Sequence, residues 1–332
     1  LLILSPGDIV VSGAASEESV CPFDPSAEIA RLRNVSMATL MHVKPKYEGW
    51  AQFPRQVFYT GPSDSHIRNL TWKHGEWPSY YEFHYYDDAR LRRSVEVLDS
   101  VLANAGVPGL REAFESLRAY AFKADLWRYA ILYACGGIYV DSKMRIAMNF
   151  DAFVEQGRFE PEKSKVPVEE KRFIVTCNDR WGTNLDRFKN LTAFWQGFLI
   201  ATPRNPDFLV VLKHVLNNVN RRAYPDDEGD LRMLYITGPC AMGRALETDR
   251  PDWHKTVKLP CHWGNHGAEL RTIWGSGSTL FLMDSDLHAK LHKGNNHAYP
   301  NLYKAHQVYV DDPPCTDNCF LIGKQPGDTA DR

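Results

Sequence analysis

Two groups of residues near the middle of the chain have side chains suited to holding a charged ligand. Asp125 and Arg128 stand three residues apart, so on a helix they share a face and either pair with each other or point at a common ligand. Asp141, Ser142 and Lys143 follow the short apolar run Ile138-Tyr139-Val140. They put a carboxylate, a hydroxyl and an ammonium where a buried strand would end. A carboxylate discriminates hydroxyl geometry, a guanidinium reads phosphate bidentately, and an ammonium meets phosphate as a compact point charge. For an arbitrary helix a weak surface ion pair is the more ordinary account of Asp125 and Arg128.

The elements that must position these groups run from Arg111 to Met144, which reads as one helix, one tight stop and one short buried strand. Phe114, Leu117, Ala121, Ala124, Ile131 and Cys135 recur at three- and four-residue steps and lay an apolar stripe along one side of that helix. Gly136-Gly137 supplies the left-handed conformation that ends it. The strand then delivers Asp141 to the carboxyl edge of a sheet, where open α/β sheets hold ligands. Upstream, Gln56 to Thr60 is a strand broken by Gly61-Pro62, Leu70 to Trp77 a short helix, and Tyr81 to Tyr86 a second, alternating strand. Asp87-Asp88 opens an arginine-rich helix through Leu102; two adjacent carboxylates there cap a helix rather than perform acid-base chemistry.

Downstream, Met144 to Met148 and Phe173 to Cys177 are strands, and Gln156 to Lys171 is a charged loop. Asp207 to Asn220 is a helix with Phe208, Leu209, Leu212, Val215, Leu216 and Val219 inward. The turn Thr237-Gly238-Pro239 leads a short helix at Ala241 to Leu246. Leu259 to Arg271 holds Cys261, His262 and His266, but Gly264 and Gly267 speak against a zinc-binding helix and for a loop. Phe281-Leu282-Met283 is a last strand. His292, His297, Tyr303 and His306 lie in a polar tail placed to fold back over the site.

The order Ala124 to Tyr129, then Ile131-Leu132-Tyr133, then Gly136 to Asp141 resembles the sugar-nucleotide-binding segment of glycosyltransferase family 32. That family includes α-1,6-mannosyltransferases and inositol-phosphoceramide mannosyltransferases, and shares the segment with the large clostridial glucosylating toxins. The similarity in order extends over most of residues 53 to 246. It implies an α/β fold of the GT-A type, a mixed, mostly parallel sheet flanked by helices. It also implies retaining transfer of a hexose from a nucleotide sugar to a glycan, lipid or protein-linked acceptor. Among the relatives mannose from GDP-mannose comes first, with galactose or another UDP-sugar next.

By the same resemblance Asp125 accepts hydrogen bonds from the sugar, and Arg128 supports it or touches phosphate. Tyr59, Thr60 and Gly61 meet the base or ribose, and Gly137, Tyr139, Asp141, Ser142, Gly238 and Pro239 line the donor site. Family members end the strand in Asp-x-Asp, which holds a divalent cation such as Mn2+ and the ribose. Asp141 matches the first position and is the implied metal ligand, whereas Lys143 stands in place of the second Asp. Three readings of Lys143 follow: it replaces the cation; the metal stays, held by Asp141 and a C-terminal histidine or Asp; or the lysine is an ion partner of Asp125 or Asp141. Asp179 is a weak candidate nucleophile, and a front-face mechanism needs none. Loss of the second Asp also admits a fold that binds nucleotide sugar or glycan without turnover.

With 39 Lys and Arg against 41 Asp and Glu, the chain has a net charge of -2 and no long basic run, which points away from nucleic acid. We read residues 1–50 as an irregular stem with a short helix at Ala27 to Met41, 51–312 as the catalytic domain and 313–332 as a tail. Leu1 to Leu4 is read as the stub of an N-terminal membrane anchor. Three acceptor triplets, beginning at Asn34, Asn69 and Asn190, suggest N-glycosylation. With the resemblance they favour the Golgi lumen and a type II membrane protein. Of seven cysteines, Cys315 and Cys319 are the expected disulfide, and Cys135, Cys177 and Cys240 read as buried thiols. Cys21 and Cys261 are left unassigned.

Overall fold

The structure is a computed structural model, which describes residues 54–61, 77, 81–142, 144–146, 174–177, 193–225, 233–249, 258–259, 261–263, 269–272, 279–283 and 299–313. Outside them lie the stem and its helix, most of the helix expected at Leu70, the charged loop, the three glycosylation triplets, Lys143, Asp179, His266, His292, His297, Cys21, Cys315 and Cys319.

In chain order the strands are β1 (Gln56–Thr60), β2 (Glu82–Tyr86), β3 (Gly137–Val140), β4 (Met144–Ile146), β5 (Ile174–Cys177), β6 (Phe198–Ala201), β7 (Lys258–Leu259), β8 (Cys261–Trp263), β9 (Glu269–Thr272) and β10 (Thr279–Met283). The helices are α1 (Asp88–Asn104), α2 (Leu110–Ser116), α3 (Tyr120–Cys135), α4 (Pro206–Asn220), α5 (Pro239–Asp249) and α6 (Tyr299–Lys304). Six strands form one sheet in the order β2-β1-β3-β6-β5-β7, and β4-β10-β9-β8 form a second. In the larger sheet β1 runs parallel to β2 and β3, β6 runs antiparallel to β3 and β5, and β5 runs parallel to β7. The mixed, mostly parallel α/β architecture expected from the sequence is therefore present. The region from Leu259 to Arg271 differs from the expected loop: β8 and β9 pair there as antiparallel strands, the glycines falling between them.

The single helix expected between Arg111 and Cys135 is two helices. The backbone turns extended at Leu117, with φ -86° and ψ 139°. There the chain is recruited to pair with the C-terminal segment: the Arg118 amide donates to the Val308 carbonyl at 2.8 Å and the Val310 amide to the Ser116 carbonyl at 2.8 Å. A stretch with full helical propensity is interrupted because tertiary pairing satisfies the same backbone groups. α3 is also not the one-sided helix expected. Every residue from Leu126 to Cys135 is buried, because sheet, α1 and α4 pack around it; a helix covered on all sides needs no polar face.

Gly136 and Gly137 end α3 at φ 65° and 95°. A Cβ at Gly136 would stand 2.6 Å from the Pro203 nitrogen and one at Gly137 would stand 2.8 Å from the Gln56 carbonyl oxygen. Both positions thus need glycine for conformation and for room. Asp87 caps α1, its carboxylate accepting from the Arg90 amide at 2.7 Å, the structural role expected. Cys240 is a buried thiol, as expected, whereas Cys135 is engaged in a disulfide. No described helix is long and apolar enough to cross a membrane.

Candidate functional site

The strand order reverses at β1: the chain passes from β1 to β2 on one side, then crosses to β3 on the other. The carboxyl ends of β1 and β3 therefore open a crevice between them, the place where such sheets bind ligands. Parallel pairing sets Phe58 beside Tyr139, and on the face shared by these two lie Trp127 and Arg128 of α3, the Trp127 ring 6.3 Å from Phe58 and the Arg128 guanidinium 4.5 Å from the Tyr139 ring centroid. Two residues beyond Phe58 and Tyr139 on their strands come Thr60 and Asp141, delivered to the crevice edge on that same face by strand alternation.

Here Asp125, Arg128 and Asp141 meet. Arg128 Nη2 lies 3.1 Å from Asp125 Oδ1 and Nη1 lies 3.5 Å from Asp141 Oδ1. Its remaining donors reach the Gln196 carbonyl at 2.8 Å and the Ala124 carbonyl at 3.2 Å. Its side chain is 9% exposed, while those of Asp125 and Asp141 are 15% and 20% exposed. The guanidinium is thus fixed from below and the two carboxylates are reachable from the crevice. Burial works against the charge on Arg128, and Tyr139, Asp125 and Asp141 outweigh it, so its pKa is raised and it stays protonated.

Each carboxylate has a further partner. Thr237 donates its hydroxyl to Asp125 Oδ2 at 2.8 Å, and Tyr139 donates to Asp141 Oδ1 at 2.9 Å. Thr60 Oγ1 stands 3.2 Å from the Tyr139 hydroxyl. The Asp141 amide donates to the Gly197 carbonyl at 2.9 Å, which ties the end of β3 to the entry of β6. Thr237 is placed by two buried contacts: its carbonyl accepts from Tyr129 at 3.0 Å, and Asn218 of α4 donates to the Tyr235 and Ile236 carbonyls at 3.0 and 3.3 Å. Gln196 donates to the Tyr129 hydroxyl, closing a polar ring beneath Arg128. The Tyr120 hydroxyl, at the start of α3, is buried and faces Thr60. Burial, first, raises its pKa, so it stays a neutral donor.

The residues singled out from the sequence fall into two sets. Asp125, Arg128, Tyr139, Asp141 and Thr60 converge, and Gly238 and Pro239 adjoin through Thr237. Ser142 follows Asp141 directly. Gly61 lies at the β1 edge, where a Cβ would meet the Tyr85 hydroxyl at 2.1 Å. Tyr59 sits on the opposite face of β1 against Phe83, ring centroids 6.3 Å apart. Gly137 starts β3, roughly 13 Å of strand from Asp141 at about 3.3 Å per residue. Tyr303 and His306 do not reach this crevice in the expected way: both pack against Tyr224 just beyond α4, with centroids 5.5 and 4.5 Å away. Thr237, Gln196, Tyr129 and Tyr120 were not singled out as site residues. Thr237 was legible in principle as the first residue of the Thr-Gly-Pro turn; Gln196 sits in an irregular stretch with no pattern to mark it.

The residues fit a divalent cation poorly. No group of three or more His, Cys, Asp or Glu side chains converges among the described residues. The carboxylate of Asp141 faces a guanidinium, and lysine occupies position 143. Hard cations take several oxygen ligands, carboxylates foremost.

Among solved structures the chain is similar to the PaToxG glycosyltransferase, with 14% identity and a TM-score of 0.36 over 69% of this chain and 83% of that one. It is similar also to the glycosyltransferase domain from the YGT toxin, ligand-free (14% identity, TM-score 0.34, 58% of this chain and 56% of that one) and UDP-bound (12%, 0.32, 53% and 52%). The chain spans about half the length of those two YGT chains. No curated protein matches it. Residues 68–160, a span that includes Asp125, Arg128 and Asp141, match the family model of the glycosyltransferase sugar-binding region containing DXD motif.

Proposed function

We propose that the protein is a retaining glycosyltransferase that moves a hexose from a nucleotide sugar to a glycan, lipid or protein-linked hydroxyl, with GDP-mannose as first donor and UDP-galactose or another UDP-sugar next. One arrangement carries the reading: two reachable carboxylates held on one fixed guanidinium at the crevice between β1 and β3, within the matched region. Asp125 and Asp141 accept hydrogen bonds from sugar and ribose hydroxyls. Arg128 holds both carboxylates in place. The anomeric carbon–oxygen bond breaks with its electron pair on the departing diphosphate. The acceptor oxygen bonds to the anomeric carbon on the same face, and its proton passes to that phosphate. Catalysis is then mostly positioning and charge stabilisation, which needs no protein nucleophile.

The three acceptor triplets and the engaged Cys135 favour a secretory, Golgi-type compartment. The test is a donor panel of GDP-mannose, UDP-galactose, UDP-glucose and UDP-N-acetylglucosamine with candidate sugar acceptors, following free nucleotide and the anomeric configuration of the product. Release from one donor, abolished by Asp125→Asn, is expected. Thermal stabilisation by a donor with no release in any arm favours a binding module instead, the reading to which the lysine at 143 lends weight.

A further inference from the structure

We infer that Tyr129 is a positioning residue for the proposed reaction: through Gln196 and Thr237 it locks Arg128 and Asp125 against each other, and so sets how the crevice meets the sugar of its donor. The inference rests on the nucleotide-sugar reading above. Five residues form a closed ring of polar contacts. Arg128 Nη1 donates to the Gln196 carbonyl at 2.8 Å, the Gln196 side-chain amide donates to the Tyr129 hydroxyl, and that hydroxyl donates to the Thr237 carbonyl at 3.0 Å. Thr237 gives its own hydroxyl to Asp125 Oδ2 at 2.8 Å, and Asp125 Oδ1 lies 3.1 Å from Arg128 Nη2. Three stretches of chain contribute: α3 supplies Asp125, Arg128 and Tyr129, the entry to β6 supplies Gln196, and the turn before α5 supplies Thr237. The Tyr129 hydroxyl is where the second and third of these are joined beneath the first.

Tyr129 and Thr237 are fully buried and Gln196 is 3% exposed. Stability alone does not call for polar groups here, since replacing both partners of a buried hydrogen bond by apolar groups of like shape is nearly neutral. Apolar groups would not fix the backbone at Gln196. Its carbonyl holds Arg128, and the next carbonyl, that of Gly197, takes the Asp141 amide at 2.9 Å. A shift at Gln196 therefore moves Arg128 and the end of β3 together, while a shift at Thr237 moves Asp125. A displacement of about 1 Å at groups that orient a substrate is enough to cost binding and rate.

Two variants of the full chain test this: Tyr129→Phe, and Tyr129→Phe combined with Gln196→Met. Each is followed by urea unfolding, by donor KM and kcat, and by calorimetry with the four sugar nucleotides of the donor panel and with free GDP and UDP. Phenylalanine keeps the ring beside Phe208 of α4, centroids 6.0 Å apart, but leaves the Gln196 amide without its acceptor; the second change removes that amide. Stability is expected to fall in the single variant and largely to return in the double one. Affinity for the sugar nucleotide is expected to fall about tenfold and to stay low in both, as for loss of one hydrogen bond to a charged group. KM rises with kcat little changed, and the free nucleotide, which lacks the sugar, is affected less than about twofold. Donor affinity that recovers together with stability, or that never falls, makes Tyr129 ordinary core and overturns the inference while the glycosyltransferase reading stands. A wild-type chain that binds no donor of the panel overturns both. Should one variant fail to fold, by its far-UV dichroism, the other decides alone, wild-type donor affinity in it counting against the inference.

Discussion

Thr237 gives its hydroxyl to Asp125 and its carbonyl to Tyr129, so one residue links the acidic group on α3 to the turn before α5. Thr237→Val keeps the shape and removes the donor. Hydrogen bonds to charged groups contribute about 1.5–3 kcal/mol when buried; with Asp125 at 15% exposure, water recovers part of that. The expected loss is about 1 kcal/mol in urea unfolding. On the proposed function the functional effect should exceed the structural one, because Asp125 loses one of the groups that orient it: donor KM rises with kcat little changed, and Thr237→Ser restores both. A Thr237→Val enzyme with unaltered KM would remove Thr237 from donor positioning. At this scale the sequence was legible where chemistry and spacing coincide, as in Asp125 and Arg128. It was illegible where a side chain is recruited by folding alone, as in Gln196.

Among the elements, β2 carries an ionisable group whose environment sets a pH limit. His84 lies against Phe58 with ring centroids 5.4 Å apart. Burial first, and the Arg90 guanidinium after it, hold its pKa down to about 4 from 6.5. The unfolded chain binds this proton near 6.5 and the folded chain only near 4, so between those values the unfolded state holds more protons. Stability is therefore full above about pH 6.5 and falls as pH drops toward 4. At 1.36 kcal/mol per pKa unit the limit is about 3 kcal/mol; the ring is partly accessible, and about 2 kcal/mol is expected. Urea midpoints at pH 7 and 4.5 should converge in His84→Gln relative to wild type, and equal acid sensitivity of the two chains would refute the assignment. The strands and helices themselves were largely readable: β1, β3 and α4 follow from β-branched runs, paired glycines and helical spacing. The break of α2 from α3 was not readable, since its cause lies about 190 residues away in the chain at Tyr309.

For the whole molecule, that distant contact is what joins the site helix to the C-terminal segment. Tyr309 is fully buried. Its carbonyl accepts from Arg118 Nε at 2.6 Å and its hydroxyl donates to the Ala223 carbonyl at 3.2 Å, while Arg222 pairs in bidentate fashion with Asp311, two residues further on. Arg118 stands two residues before Tyr120, the first residue of α3. Residues 299–313 therefore clip the end of α4 to the start of α3, and α3 in turn holds Asp125 and Arg128. Tyr309→Ala should cost roughly 3–5 kcal/mol, as large aromatic truncations in cores do. A merely local cavity would leave the pattern of backbone protection intact. A clip predicts an uneven loss, because opening free energies differ from one cooperative unit to the next. Amide exchange should quicken in Tyr120–Ala124 more than in Ile131–Cys135, with donor affinity falling alongside it. Uniform acceleration along α3 would make Tyr309 ordinary core and would separate the C-terminal segment from the site it is argued to brace.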